Sequence, residues 1–197
     1  MWEERYSASD GFVFGTEPAV VLTDNPWLTE GCQTALCVAD GEGRNAVYLA
    51  GRGLAVASFD PAPTAVERSR ALASRRGVEV ESHVAGWDDW DWSRQFDLVA
   101  AIFVQFADPA FRQRQFADLA KATRPGGRLV VHGYRPEQIA FGTGGPRDPA
   151  HLYTAEMLAD AFAGWKIERL APYERVLDEG KGHSGQSALI DLVAIRP

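Results

Sequence analysis

The stretch TALCVADGEGRNAVYLAGRGLAVASFD, residues 34–60, decides the fold. It reads as an apolar strand over 34–39, a glycine-rich turn Asp40-Gly41-Glu42-Gly43-Arg44-Asn45, a helix ending near Gly53, and a second apolar strand closing on Asp60. That is half of a nucleotide-binding unit. Gly41 and Gly43 let the backbone turn sharply at the carboxyl end of the first strand and approach a ligand, while the helix behind them directs its free N–H groups at it. Asp60 ends the neighbouring strand, where a carboxylate accepts hydrogen bonds from both hydroxyls of a ribose.

Two cofactors compete for this turn. Gly41-x-Gly43-x-x-Ala46 satisfies the dinucleotide fingerprint, which admits an NAD(P)-dependent oxidoreductase. Glu42 opposes that reading, because a pyrophosphate on the turn would lie beside a fixed negative charge. S-adenosylmethionine has no phosphate. It offers an ammonium and a sulfonium for Asp40 or Glu42 and a carboxylate for Arg44, so the residues favour the methyl donor.

The rest of the chain extends the same alternation. Pro61 to about Arg76 forms a helix with Gly77 as its stop, 78–84 a third strand, and 96–103 a nearly continuous apolar run suited to a central parallel strand. Asp108 starts a helix through Thr123, and Pro125-Gly126-Gly127 turns the chain into a fifth strand over 128–132. Residues 134–150 read as a long glycine-rich loop, followed by a helix with Thr154 as N-cap. The segments 166–173 and 187–195 have no helix between them and are expected to pair antiparallel. The result is an α/β fold: a doubly wound, seven-stranded Rossmann-like sheet, mostly parallel, with an antiparallel C-terminal β-hairpin.

Composition bounds the remaining possibilities. With 197 residues, no repeat and no low-complexity tract, one domain over 1–197 is expected, its first thirty residues a lid-like segment carrying Trp2, Tyr6, Phe12, Phe14 and Trp27. Those aromatics either pack on the sheet or cover the cofactor and exclude water from it. No apolar run approaches a membrane span and the N-terminus has no basic-then-apolar leader, so a cytoplasmic location is expected. Cys37 is expected as a buried apolar residue rather than half of a disulfide. A formal net charge of −7 without a basic face argues against a nucleic-acid groove. Nothing announces an oligomeric interface.

At this point the chain resembles a class I S-adenosylmethionine-dependent methyltransferase. The likeness rests on Gly41-Glu-Gly43-Arg-Asn45 after strand one, Asp60 after strand two, Pro125-Gly126-Gly127 before strand five, and the closing hairpin. With Trp2 and Arg5-Tyr6, the run from Gly41 to Ala50 is similar to the small tellurite-resistance-type and thiopurine-type methyltransferases, which the resemblance associates with soft sulfur, selenium or tellurium acceptors. The chain departs from the usual pattern at Cys37 and Ala39, where an acid and a glycine are customary, and at Gly86, where an acid commonly faces the adenine amino group.

Methyl transfer from a sulfonium is an in-line displacement whose leaving group needs no proton, so alignment and exclusion of water carry it, with a base only for a protic acceptor. No Ser/His/Asp set or metal-ligand spacing is evident, and no metal is expected. The expected cofactor residues are Asp40, Gly41, Glu42, Gly43, Arg44, Asn45, Asp60, Pro61, Gly86, Trp87 and Phe103. Tyr6, Phe14, Gln105, Phe106 and Tyr134 are expected around a small-molecule acceptor, with His132 bordering it. His183, in a glycine-rich loop, is the candidate to orient the acceptor or take its proton. A protein that binds the cofactor without catalysis is the remaining alternative.

Overall fold

The computed structural model describes residues 2–197. In chain order the elements are α1 (Trp2–Ser7), α2 (Val20–Asp24), β1 (Thr34–Val38), α3 (Arg44–Gly51), β2 (Ala55–Asp60), α4 (Pro63–Arg76) and β3 (Val80–Val84). They continue as β4 (Phe96–Ile102), α5 (Pro109–Ala122), β5 (Thr123–Tyr134), α6 (Gln138–Phe141), α7 (Ala155–Ala161), β6 (Lys166–Asp178) and β7 (Ser184–Ile195). The strands form a seven-stranded sheet in the order β3-β2-β1-β4-β5-β7-β6. The chain divides into two compact units, one up to Asp91 with Glu179–Gly182, the other Trp92–Asp178 with His183–Pro197. Among the described residues no helix is long and apolar enough to cross a membrane.

In the first unit β1, β2 and β3 are parallel, with Leu36 opposite Ala57 and Phe59 opposite His83. Parallel strands need crossovers, and α3 and α4 supply them. Ala35 to Val38 are all buried, as an apolar strand covered on both faces requires. α4 opens on Pro63 and stops at Gly77, which takes φ 66°. The N–H groups of Gly77 and Val78 return to Ser74 and Ala73 carbonyls, a glycine C-cap that delays β3 to Val80, two residues later than its apolar pattern begins. α4 likewise starts two residues after Pro61, because the Asp60 carboxylate accepts from the Ala62 N–H and holds the chain extended. Beyond β3, Trp90 stacks on Phe59 at 4.8 Å and Trp87 meets the same ring edge-on at 6.1 Å. Both tryptophans close the core and Trp92 stays half-buried.

In the second unit all seven residues of β4 are buried, and β4 runs parallel to β5 with Val99 opposite Leu129. β5 pairs antiparallel with β7, and β7 with β6. The hairpin is longer than its apolar segments, reaching Asp178 opposite Ser184. Its polar end, Glu174 to Asp178, does not read as a strand, but ladder bonds to β7 satisfy its backbone and Gln186 Nε2 donates to Glu174 at 3.2 Å. Pro125-Gly126-Gly127 lies within β5 rather than in a turn before it, since Gly126 and Gly127 exchange backbone bonds with Arg196. Asp108 and Thr154 cap α5 and α7, accepting from the Phe111 and Met157 N–H groups at 2.8 and 3.1 Å. Within the expected 134–150 loop, buried Gln138 donates to Thr143 Oγ1 and the Gly144 carbonyl and accepts from the Ala188 N–H, fixing the short α6.

Gly43 joins the glycine turn to α4. It has φ 85°, and a Cβ there would lie 2.6 Å from Ser69 Cβ and 2.9 Å from Ser69 Cα. Backbone cannot yield as a side-chain tip can, so Gly43→Ala is expected to destabilise the protein by about 2–4 kcal/mol, from left-handed strain plus overpacking. Urea unfolding, with an unchanged m-value, checks it.

Candidate functional site

The turn after β1 is held in conformations that L side chains avoid. Ala39, Gly41 and Gly43 take φ of 46°, 58° and 85°, and the alanine stores strain of roughly 1–3 kcal/mol. Asp40 anchors the turn to α3: its Oδ2 accepts from the Ala46 N–H and its Oδ1 from Asn45 Nδ2, both at 3.1 Å. Asn45 Oδ1 in turn accepts from the Ala19 N–H at 2.9 Å. Asp60 reaches back across the turn, accepting from the Gly41 N–H at 3.0 Å and the Ala62 N–H at 2.9 Å.

Among the described residues neither aspartate has a cation on its carboxylate. Burial pushes the Asp40 carboxyl up to about 7, against the pull of the Ala46 N–H, Asn45 and Arg44 and with the charge of Asp60 adding to it. Although part of the residue reaches solvent, its carboxyl lies in the turn. Burial also raises Asp60, more than the Ala62 and Gly41 N–H groups lower it. Tyr6 completes this corner. A Cβ on Gly41 would lie 2.5 Å from the Tyr6 hydroxyl oxygen, and burial with the charges of Asp60, Glu42 and Asp40 raises that hydroxyl far above its ordinary range, leaving it a donor. Under-compensated carboxylates beside a glycine turn suit a ligand that brings hydroxyl and ammonium donors and no phosphate. That chemistry fits S-adenosylmethionine, whose sulfonium supplies the transferable methyl group.

Glu42 and Arg44 are engaged differently from the sequence reading. Glu42 is 3 % exposed; its Oε1 pairs with Arg68 Nη1 at 2.8 Å and its Oε2 accepts from the Val13 N–H at 2.7 Å. Its charge is therefore neutralised, and the expected repulsion of a pyrophosphate passes to Asp40 and Asp60. Arg44 pairs with Glu179 at 2.7 Å, both side chains 6 % exposed, and also donates to the Glu17 carbonyl. Glu179 Oε1 accepts from the Val20 N–H at 2.9 Å. These partners lie far away in sequence, so spacing could not reveal them.

Those contacts fasten a cover over the turn. The Gly182 N–H donates to the Val13 carbonyl at 3.1 Å, and a Cβ on Gly180 would lie 2.5 Å from the Gly15 nitrogen. Tyr6, Val13, Ala62 and Ala65 form one apolar cluster with Phe14 against it, at the start of α4, while Phe12 packs against Val47, Leu72 and Ala73 beside Val80 of β3. Glu3 docks α1 there through the Thr64 N–H and hydroxyl. The Gly86 N–H, expected at an adenine edge, donates to Asp89 Oδ2 at 3.1 Å; Trp87 is buried against Phe59 and Pro61 is exposed.

The second unit gathers the other expected residues. Phe103 takes φ 57°, and its ring lies 4.0 Å from His183 at 20° and 4.8 Å from Tyr134. The Tyr134 hydroxyl is 2.6 Å from His183 Nδ1. His183, expected in an open loop, is 9 % exposed. Gln105 is a structural clamp: its Oε1 accepts from the Tyr134 N–H at 2.6 Å and its Nε2 donates to the Tyr134 carbonyl at 2.8 Å. Phe106 is exposed, 6.1 Å from Phe111. Asp191, bonded to His132, escaped the sequence reading; its signal was a lone acid in the apolar run ALIDLVAI.

Two outcomes are expected. Because the folded Asp40 carboxyl titrates near 7, above its unfolded value, the folded state binds more protons between about pH 4 and 7. Its contribution to stability therefore falls as pH rises through that window, and chemical denaturation of Asp40→Asn against wild type should show that downward slope removed. Breaking the buried pair by Arg44→Met should cost about 3–5 kcal/mol, with part regained on adding Glu179→Leu, as a double-mutant cycle measures.

Residues 35–127 match the family model described as a methyltransferase domain. No curated protein matches the sequence. Among solved structures, one from work on conversion of a disulfide bond into a thioacetal group during echinomycin biosynthesis is 22% identical, with TM-score 0.75 over 95% of this chain and 86% of that one. The N-methyltransferase NodS from Bradyrhizobium japonicum WM9, in complex with S-adenosyl-l-homocysteine, is 15% identical with TM-score 0.74 over 99% of this chain and 96% of that one. TehB from Haemophilus influenzae is 14% identical with TM-score 0.71 over 100% of this chain and 66% of that one. At these identities the structures attest the fold, and the family match decides between the two cofactors that the glycine fingerprint left open. With β1, the glycine turn, Asp60 and the crossovers through α5 inside the matched residues, residues 35–127 are a methyltransferase domain, and the sheet around them has the fold of the class I S-adenosylmethionine-dependent methyltransferases.

Proposed function

We propose that this methyltransferase transfers a methyl group to a small molecule bearing a soft nucleophile of the sulfur, selenium or tellurium class, by in-line displacement. The observation that carries the small-acceptor reading is the cover over the glycine turn, where the Val13 N–H is held by Glu42 and Glu179 by Arg44. A turn roofed in this way admits a small molecule, excludes water and leaves little approach for a macromolecule. The soft-acceptor reading draws on the aromatic and imidazole wall of Phe103, Tyr134 and His183, which suits a polarizable, weakly hydrated atom. The disulfide-to-thioacetal conversion with which one structural neighbour is associated points the same way.

In this reading the chain works as one domain in the cytoplasm. Asp60 receives the ribose hydroxyls and Asp40 the donor's ammonium. Gly41 and Gly43 supply the close backbone approach, Glu42, Arg44 and Asn45 hold the turn's shape, and Pro61, Gly86 and Trp87 flank the adenine. Tyr6 and Phe14 shield the donor's corner in the first unit; in the second, Phe103 and Tyr134 contact the reacting groups, with Gln105 and Phe106 at the margin.

Calorimetric titration of the purified protein with S-adenosylhomocysteine and NAD in parallel tests the cofactor half. S-adenosylhomocysteine alone should bind, and Asp60→Asn should weaken it roughly 10–100-fold, the worth of a hydrogen bond to a charged group. Because Asp40 is partly protonated near pH 7, binding an ammonium there should release protons, seen as a dependence of the heat on buffer ionisation. Turnover of thiols and chalcogen oxyanions tests the acceptor half; turnover confined to amines or carboxylates would sink it.

A further inference from the structure

The first unit contains a cavity of about 260 Å³ between one face of α3, the segment around Glu17 and the end of α4. Arg44, Val47, Tyr48, Gly51 and Arg52 line it from α3. They fall at positions i, i+3, i+4, i+7 and i+8, which on a helix is a single face. Of the glycine turn only Arg44 takes part, and Tyr6 and Asp60 do not line it.

The walls of the cavity differ in kind. Val47 is 6 % exposed and packs with Leu72 and Ala73, with Val78 against the same cluster, so Val47 and Val78 give the cavity an apolar floor. Arg44, Arg52 and Arg76 line it against one acidic residue, Glu17. The charge of Arg44 is answered by Glu179. Arg76 pairs with Glu17 at 2.7 Å, but the two side chains are 49 % and 78 % exposed, and an ion pair so open to water holds weakly. The Arg52 guanidinium has neither a hydrogen bond nor an ion pair among the described residues. On a chain of net charge −7, this cavity carries an excess of cations.

Gly51 keeps the space open. It is the last residue of α3 and has no left-handed φ; that conformation falls to Gly53 beyond it, at φ 92°. A Cβ on Gly51 would meet nothing within 4 Å. Neither backbone conformation nor close packing calls for glycine there, and glycine is among the poorest helix formers. What its missing side chain does is leave the cavity unobstructed.

We propose that this cavity binds a small organic oxyanion, a carboxylate or phosphate monoester on a body of one ring or a short chain, at a site separate from the methyl donor's corner. The apolar body lies on Val47 and Val78. Its oxygens accept from Arg52 and from Arg76, which exchanges Glu17 for the ligand. Arginine suits this role because its planar fork pairs with two oxygens at once. The volume limits the class. Pockets for drug-sized ligands run to about 300–1,000 Å³, so a cavity of about 260 Å³ takes a single-ring anion rather than a nucleotide. The identity of the methyl acceptor does not enter this assignment.

Calorimetric titration of the full chain with phenyl phosphate and benzoate, and with inorganic phosphate and formate as their counterparts without the ring, tests it. The tighter of the two aromatic anions identifies the head group, and it should exceed its counterpart about tenfold through burial of the ring. Arg52→Ala should weaken that anion roughly tenfold, as loss of a hydrogen bond between charged groups does. Gly51→Leu leaves every arginine in place, improves helix propensity and fills the space, so it should abolish binding without lowering the thermal midpoint. Failure of both aromatic anions to bind would overturn the proposal, as would the absence of any gain from the ring. Unchanged affinity in Gly51→Leu would do the same, since loose pairing with surface arginines survives that substitution.

Discussion

Charge burial around one glycine turn is the constraint from which the rest of the first unit follows. Glu42 and Arg44 flank Gly43 and are almost wholly out of water. An isolated charge there would be strongly unfavourable, so each must find a counter-charge and enough donors or acceptors to replace its hydration. Arg68 on α4 answers Glu42, and Glu179 from the tip of the β6–β7 hairpin answers Arg44. The same carboxylates also collect the N–H groups of Val13 and Val20. The irregular N-terminal segment thereby acquires partners for its backbone, which no ladder supplies.

Asp40 and Asp60 show the opposite balance. Each accepts two hydrogen bonds, yet burial still raises both carboxyls. Hydrogen bonds to N–H groups hold them in place without cancelling their charge, and Tyr6 adds a hydroxyl at Gly41 but no cation. In the proposed function a methyl donor completes such a corner by supplying the missing donors, and the groups that weaken the fold are then those that select the ligand. Functional sites commonly carry this kind of local cost, borne by the surrounding packing.

The second unit uses its sheet in a related way. β4 and β5 provide an apolar centre, and the antiparallel β7 brings a polar pair into it at His132 and Asp191. An antiparallel partner places side chains directly opposite one another with tight geometry, which suits a histidine aligned by a carboxylate. Phe103, held in a left-handed backbone conformation, gathers His132, Tyr134 and His183 around one ring. The strand-end aromatic thus organises a wall that no contiguous motif encodes.

The sequence by itself determined the alternation of strand and helix, the glycine turn, Asp60 at the end of β2, the caps at Asp108, Thr154 and Gly77, and the closing hairpin. All of these follow from local propensities and periods that act within a few residues. It also singled out Phe103 and Tyr134 at strand ends and His183 in a glycine-rich loop, three rings that the structure brings into contact. Only the tertiary structure decided that Glu42 and Arg44 are tied to Arg68 and Glu179 and that Gln105 clamps the backbone of Tyr134. It alone set Asp191 behind His132 and carried β6 and β7 past their apolar segments. Those outcomes depend on which buried charge or bare backbone group meets which partner across dozens of residues. That matching is settled by packing and desolvation, which leave no periodic mark along the chain.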